Sequence, residues 1–319
     1  MERRHFLASL AATTAASQMV LRGAEGGLDS HNPSRITLLH TNDTHSHIEP
    51  FGPGNGQASG KGGIPRRATM VKQLRASIPN LLLLDAGDTF QGTPYFNQYK
   101  GKLDFELMSK VGYDASTLGN HDFDNGVDML LEAMEFAKFP FLNCNFDCKG
   151  SPVLAKRLTP WLVKEFPGFK VGLTGVGVDF KGLVSAENHK GVDWRSPEEA
   201  LKPVIRHLRE VEKVDLVVLI SHLGYDLRGD AIDDLALAKL VPGLDAIIGG
   251  HSHTFLDQPT RIQQDGGETL VFQVGWGGIN LGRMDFAMAK GQVRAASGMP
   301  VPVSGHTAAE APEVSVASV

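Results

Sequence analysis

The chain has 319 residues, 42% hydrophobic and 21% charged, with a formal net charge of −5. That length suits one large domain or two small ones, and the mild acidity excludes a polycationic binder of nucleic acid or anionic membrane. Two cysteines exclude a disulfide-built scaffold and a thiolate zinc site, whereas twelve histidines leave many imidazoles to place.

Residues 1–27 read as an export signal. Arg3-Arg4-His5-Phe6-Leu7 precedes a weakly apolar run, Ala8 to Ala16, as in twin-arginine leaders. The expected destination is periplasmic or otherwise extracytoplasmic. No other stretch reaches the roughly 18 apolar residues of a membrane span. From Arg35, short apolar runs end in Gly, Asp, Asn or His: Ile36–His40, Leu81–Leu84, Ala115–Leu118, Phe139–Leu142, Val171–Val176, Leu216–Ile220, Ala246–Ile248 and Leu270–Val274. Runs of this length, bounded by turn residues, suit strands buried on both faces. Between them, Pro65–Ser77, Val127–Ala137 and Gly229–Leu240 read as helices. A fourth runs to about Lys213 from the capping box Ser196-Pro197-Glu198-Glu199. This alternation predicts an α/β fold. The stretch Leu270–Ala289 has no long helix, so antiparallel strands should end the sheet. One domain is expected over 35–298 and a loose tail over 299–319.

The residues at the strand ends are more informative. Asn42-Asp43-Thr44-His45-Ser46-His47 comes after the first strand, Asp85-Ala86-Gly87-Asp88 after the second, and Gly119-Asn120-His121-Asp122-Phe123-Asp124 after the third. Ser221-His222 and Gly250-His251-Ser252-His253 come after two later ones. In open α/β sheets the ligand site lies at the carboxyl ends of the strands. A mixture of carboxylates and imidazoles delivered there is what two adjacent divalent metals require. Any one of these histidines is more simply a turn or core residue; the ordered set is not.

The series resembles the calcineurin-like metallophosphoesterase family in its 5'-nucleotidase/UDP-sugar hydrolase branch, from about Ile36 to Phe286. Leu39-His40-Thr41-Asn42-Asp43, Gly87-Asp88-Thr89-Phe90-Gln91-Gly92, the Gly119–Asp124 motif and Gly62-Gly63 with Arg66-Arg67 carry the likeness. It implies a layered α/β/β/α sandwich, with mixed sheets flanked by helices, and two divalent metals (Zn, Mn, Fe or Co). It implies that Asp43, His45 and His253 hold one metal, that Asp88 bridges both, and that Asn120, His222 and His251 hold the other. His121, oriented by Asp124, would contact a phosphoryl oxygen or protonate the leaving oxygen. The implied reaction is hydrolysis of a nucleotide or related phosphomonoester, by in-line attack of a hydroxide shared between the metals. The resemblance is expected to stop short of the branch's C-terminal substrate domain. The partners expected are therefore a small phosphorylated substrate and a separately encoded C-terminal-domain protein, with no nucleic acid polymer. Three alternatives stay open: a self-sufficient phosphomonoesterase or cyclic phosphodiesterase, a sulfur-ester hydrolase, and a metal-binding subunit without turnover.

Trp161, Trp194 and Trp276 are candidates to stack on a nucleobase, with Trp276 the best placed, although a packing role is the simpler reading. His47 reads as a loop residue beside the ligands and His40 as a packed strand residue. His189 and His207 have no role. Cys144 and Cys148 are either a local disulfide or two free thiols.

Overall fold

The computed structural model describes residues 35–305 apart from 230, 265, 266 and 290. The export signal, most of the expected tail, and His5, His31 and His306 lie outside the described residues. In chain order the strands are β1 (Arg35–Thr41), β2 (Leu81–Asp85), β3 (Ala115–Ser116), β4 (Phe141–Leu142), β5 (Phe146–Asp147), β6 (Leu158–Thr159), β7 (Trp161–Phe166) and β8 (Phe169–Gly177). They continue as β9 (Asp193–Trp194), β10 (Leu216–His222), β11 (Ala246–Gly249), β12 (Thr260–Gln264), β13 (Gly267–Phe272), β14 (Asn280–Ala289) and β15 (Gln292–Pro302). The helices are α1 (Ile64–Ser77), α2 (Pro94–Tyr99), α3 (Lys102–Val111), α4 (Gly126–Met134), α5 (Pro152–Ala155), α6 (Pro197–Glu210) and α7 (Asp234–Leu240).

Two mixed sheets face each other. The first runs β15-β14-β1-β2-β3-β4-β6 and the second β12-β13-β11-β10-β8-β7, while β5 and β9 form a small pair apart. β1, β2 and β3 are parallel, as are β8, β10, β11 and β13, so the carboxyl ends of each set open on one edge. Strand alternation builds the layers. Ile36 and Leu38 of β1 meet Leu173, Val218, Ile248 and Phe272 between the sheets. Leu39 points the other way, into a layer closed by Ala68, Val71 and Leu74 of α1 and Phe105 and Met108 of α3. On the far side, Val217, Leu219 and Ile247 pack under Leu201, Ile205 and Leu208 of α6 and Leu237 of α7. This is the α/β/β/α sandwich, and each fully buried Phe or Leu in it contributes about 1.5–3 kcal/mol.

The expected capping box holds: Ser196 Oγ accepts the Glu199 N–H at 3.5 Å, with Pro197 in the first turn. Other boundaries differ. α7 starts at Asp234, not Gly229, because the Asp233 carboxylate caps Ala236 N–H. Helices α2 and α3 occupy a stretch with no expected element. The expected antiparallel ending is found in part: β13 lies parallel to β11 in the second sheet, whereas β14 crosses to the first sheet and, with β15, ends it in antiparallel strands beside β1. β15 then pairs with β14 as far as Pro302, which removes the expected looseness from 299–302. Among the described residues no helix is long and apolar enough to cross a membrane. Cys144 and Cys148 are both buried and both free, so the disulfide alternative falls away.

Candidate metal centre

The loops after β1, β2 and β3 and those after β10 and β11 converge at the shared edge. Asp43 N–H donates to Gly87 O at 2.9 Å and His45 N–H to Asp88 O at 3.1 Å, strapping the first two loops together. His121 N–H donates to Asp88 Oδ1 at 2.8 Å, which adds the third. His251 N–H sits 3.0 Å from both Asp43 carboxylate oxygens, which ties in the second sheet. The approach is close enough that a Cβ on Gly119 would lie 2.1 Å from Asp88 Oδ1 and 2.6 Å from His222 Nε2.

Two clusters result. The ligand atoms of Asp43, His45 and His253 lie within 4.8 Å of one another, and so do those of Asp88, His222 and His251. In the first, His253 Nε2 stands 3.0 Å from His45 Nε2 and 3.3 Å from Asp43 Oδ1. In the second, His222 Nε2 is 3.1 Å from Asp88 Oδ2, an ion-pair contact without hydrogen-bond alignment. Asn120, between Gly119 and His121, keeps a buried side-chain Oδ1 with no hydrogen bond among the described residues.

The donor set fits a pair of divalent cations. His45 Nδ1 lies 3.0 Å from Phe90 O and His222 Nδ1 2.6 Å from Ala86 O. A carbonyl can only accept, so Nδ1 carries the proton and Nε2 faces the cluster. The backbone agrees. Asp43, His45, Asp88, His251 and His253 all have positive φ, between 48° and 71°. Non-glycine residues adopt this left-handed region at a cost of about 1–3 kcal/mol each, and such strain clusters at functional sites.

Charge is distributed unevenly. Burial pulls the His222 pKa down, but the Asp88 and Asp43 carboxylates more than offset it and raise it to about 10 in the absence of cations. Burial and the neighbouring His222 charge lower His251 to about 4, so it stays a neutral imidazole. Beside both clusters, His121 Nδ1 donates to Asp124 Oδ2 at 2.8 Å. That hydrogen bond raises the His121 pKa against the opposing effect of burial, which favours the imidazolium.

Asp122 lies inside the Gly119–Asp124 motif, where the sequence assigns it no role. Its two oxygens accept four backbone N–H bonds, from Asp88 (3.1 Å), Thr89 (3.0 Å), Phe90 (3.2 Å) and Gly119 (2.8 Å). It braces the Asp88 loop against the Asn120 loop. Gln273 does the same for the His251–His253 loop: its Oε1 accepts from Ser252 Oγ and Thr254 N–H, and its Nε2 donates to Gly250 O. A Gln inside the apolar run Leu270–Val274 was the available signal.

Among the remaining expectations, Trp276 lies parallel to His253, with ring centroids 5.9 Å apart. His47 stacks on Phe51 at 4.5 Å. His40 is buried against Phe272, and burial lowers its pKa to about 3. Trp161 packs against His207 at a 42° tilt, His189 stacks with Phe180, and Trp194 donates to Gly177 O.

The calcineurin-like phosphoesterase family model matches residues 36–255. The chain is 34% identical to a snake venom 5'-nucleotidase of Naja atra, over 83% of this chain and 53% of that one. It is 33% identical to the 5'-nucleotidase of Vibrio cholerae, over 85% and 52% respectively. The crystal structure of a 5'-nucleotidase precursor from Thermus thermophilus superposes with a TM-score of 0.79 at 33% identity, covering 86% of this chain and 56% of that one. The chain spans about half the length of the curated relatives it matches. With the family model covering most of the described residues, and the two clusters at the sheet edge, the chain belongs to the calcineurin-like phosphoesterase family.

Proposed function

We propose that the chain is a two-metal phosphoric ester hydrolase of the 5'-nucleotidase type, converting a nucleotide or related phosphomonoester to an alcohol and phosphate. The observation that carries it is the pair of adjoining Asp/His clusters with the His121–Asp124 pair beside them. Asp43, His45 and His253 would hold one cation, Asn120, His222 and His251 the other, and Asp88 would be shared. Mixed imidazole, carboxylate and amide donors suit Zn²⁺, Mn²⁺, Fe or Co. Bound there, the cations would offset charge on phosphoryl oxygens and make water acidic enough to attack near neutral pH.

The chain's own residues would do the rest. Asn120 and His121 would meet the phosphoryl group. His121, protonated on both ring nitrogens, would donate from Nε2 to a phosphoryl or leaving oxygen while Asp124 holds Nδ1–H. The His253 and His121 side chains are 41% and 36% exposed, so the site opens to solvent. Phe255, just beyond His253, is 53% exposed on the same loop. A separate protein module covering this rim would supply substrate-selecting groups. Arg3-Arg4 and the Ala8–Ala16 run support export by the twin-arginine route to the periplasm.

The test is phosphate release from a panel of nucleotides, UDP-sugars, cyclic nucleotides and sugar phosphates, with Mn²⁺ or Zn²⁺ and with EDTA as control. Metal-dependent release from 5'-nucleotides supports the proposal; no release from any phosphomonoester by the metal-loaded protein, alone or with a candidate partner, overturns it.

A further inference from the structure

Each cluster pairs a histidine braced by a backbone carbonyl with a loop histidine that has no such brace among the described residues: His45 with His253, and His222 with His251. His45 and His222 each fix their rings by donating Nδ1–H to a backbone carbonyl. His253 has no such bond among the described residues; its Nε2 faces the cluster and its side chain is 41% exposed. On the side facing the cluster its ring meets His45 edge-on at 5.0 Å between centroids, and its face lies along the indole of Trp276, 5.9 Å away and inclined by only 16°. That indole is held in place. Gly275 O accepts from Asn42 Nδ2, and Gly277 N–H donates to Asp43 O at 2.7 Å, so the residues on either side of Trp276 are bonded to the end of β1. Gly275, Gly277 and Gly278 all have positive φ, which lets this turn press against the ligand loop. The stacked rings of His47 and Phe51 brace the indole edge-on, with centroids 5.3 and 5.4 Å away.

We propose that Trp276 is the positioning residue for His253: a rigid indole, registered on Asn42 and Asp43, takes the place of the missing hydrogen bond and aims the imidazole at the Asp43–His45 cluster. This rests on the assignment of the two clusters as a metal centre. Histidine ligands usually depend on such outer partners, and their loss costs about 10–100-fold in metal affinity. The ring face turned to His253 is thereby used, so a nucleobase would need another surface of the indole.

The test uses the full chain, stripped of metal and titrated with Mn²⁺. In the wild type, two equivalents should bind, and filling of the Asp43–His45–His253 cluster should quench tryptophan emission, because Trp276 stacks on one of its ligands. Trp161 and Trp194, packed elsewhere, should respond little. Trp276→Ala should weaken one of the two binding steps about 10–100-fold, leave the other unchanged, and lower kcat more than it raises KM. Trp276→Phe should restore Mn²⁺ affinity while abolishing the quench. If Trp276→Ala, with an unchanged far-ultraviolet spectrum, binds both equivalents as the wild type does, the proposal is overturned. The same holds if only KM for nucleotides rises, which would assign the ring to substrate. A wild-type protein that takes up no divalent metal would overturn the metal centre itself, which is a different failure.

Discussion

The two clusters share a composition and a burial pattern, two buried ligands and one half-buried loop histidine each, and differ in what that histidine packs against. In one, Asp88 and His222 are 1% and 0% exposed, and the loop histidine His251 lies edge-on to His222 with ring centroids 5.3 Å apart. The other depends on His253, which is half-exposed in a loop at positive φ and lies against a tryptophan. A buried ligand can use a backbone carbonyl from a neighbouring loop as a brace, as His222 uses Ala86 O. A ligand at the rim has few backbone groups facing it and must borrow an aromatic face. The rim cluster should therefore be the more easily lost.

The largest effect should come from Asp88→Asn, because Asp88 is the residue proposed to be shared by both cations. Turnover should be almost abolished and bound metal reduced; full metal content with near-normal turnover would sink the two-metal assignment. Next is His121→Asn, which leaves both ligand sets in place. Its kcat should fall about 10²–10⁴-fold with metal stoichiometry unchanged, separating proton supply from metal holding. Asp122→Asn replaces an acceptor of two N–H groups with a donor, and should weaken the buried cluster's Mn²⁺ affinity about 10–100-fold. Calorimetric titration would contradict the brace if both steps were unaltered. Metal removal by EDTA should lower Tm by on the order of 10 °C, since saturation at a thousandfold Kd stabilises by about 4 kcal/mol. Differential scanning would show no change if the clusters were merely ion-paired. The smallest effect is expected of the thiols. Burial raises Cys144 to about 12 and Cys148 to about 11, so neither should react with a disulfide reagent at neutral pH until the protein unfolds.

Much of the site is legible in the sequence because its ligands arrive in short local motifs, each just after an apolar run. Asp122 is not, because three of its four donors come from a loop about thirty residues away in the chain. Helix α3 escapes the pattern because burial around most of its circumference, at Leu103, Asp104, Phe105, Leu107, Met108 and Val111, leaves no clean polar stripe. β7 and β12 escape it as half-exposed edge strands without an apolar run.

By itself, then, the sequence determined the strand–helix alternation, the layered class and the residues delivered to the strand ends, since each depends on local pattern. The histidine pairs that the family resemblance implies are brought together only by the tertiary structure, which alone decided that β14 leaves the strands before it to close the first sheet. It also decided that the Trp276 indole lies against His253. Those outcomes depend on contacts between segments that lie far apart in the chain, as His45 and His253 or Ile36 and Phe286 do, which no local spacing encodes.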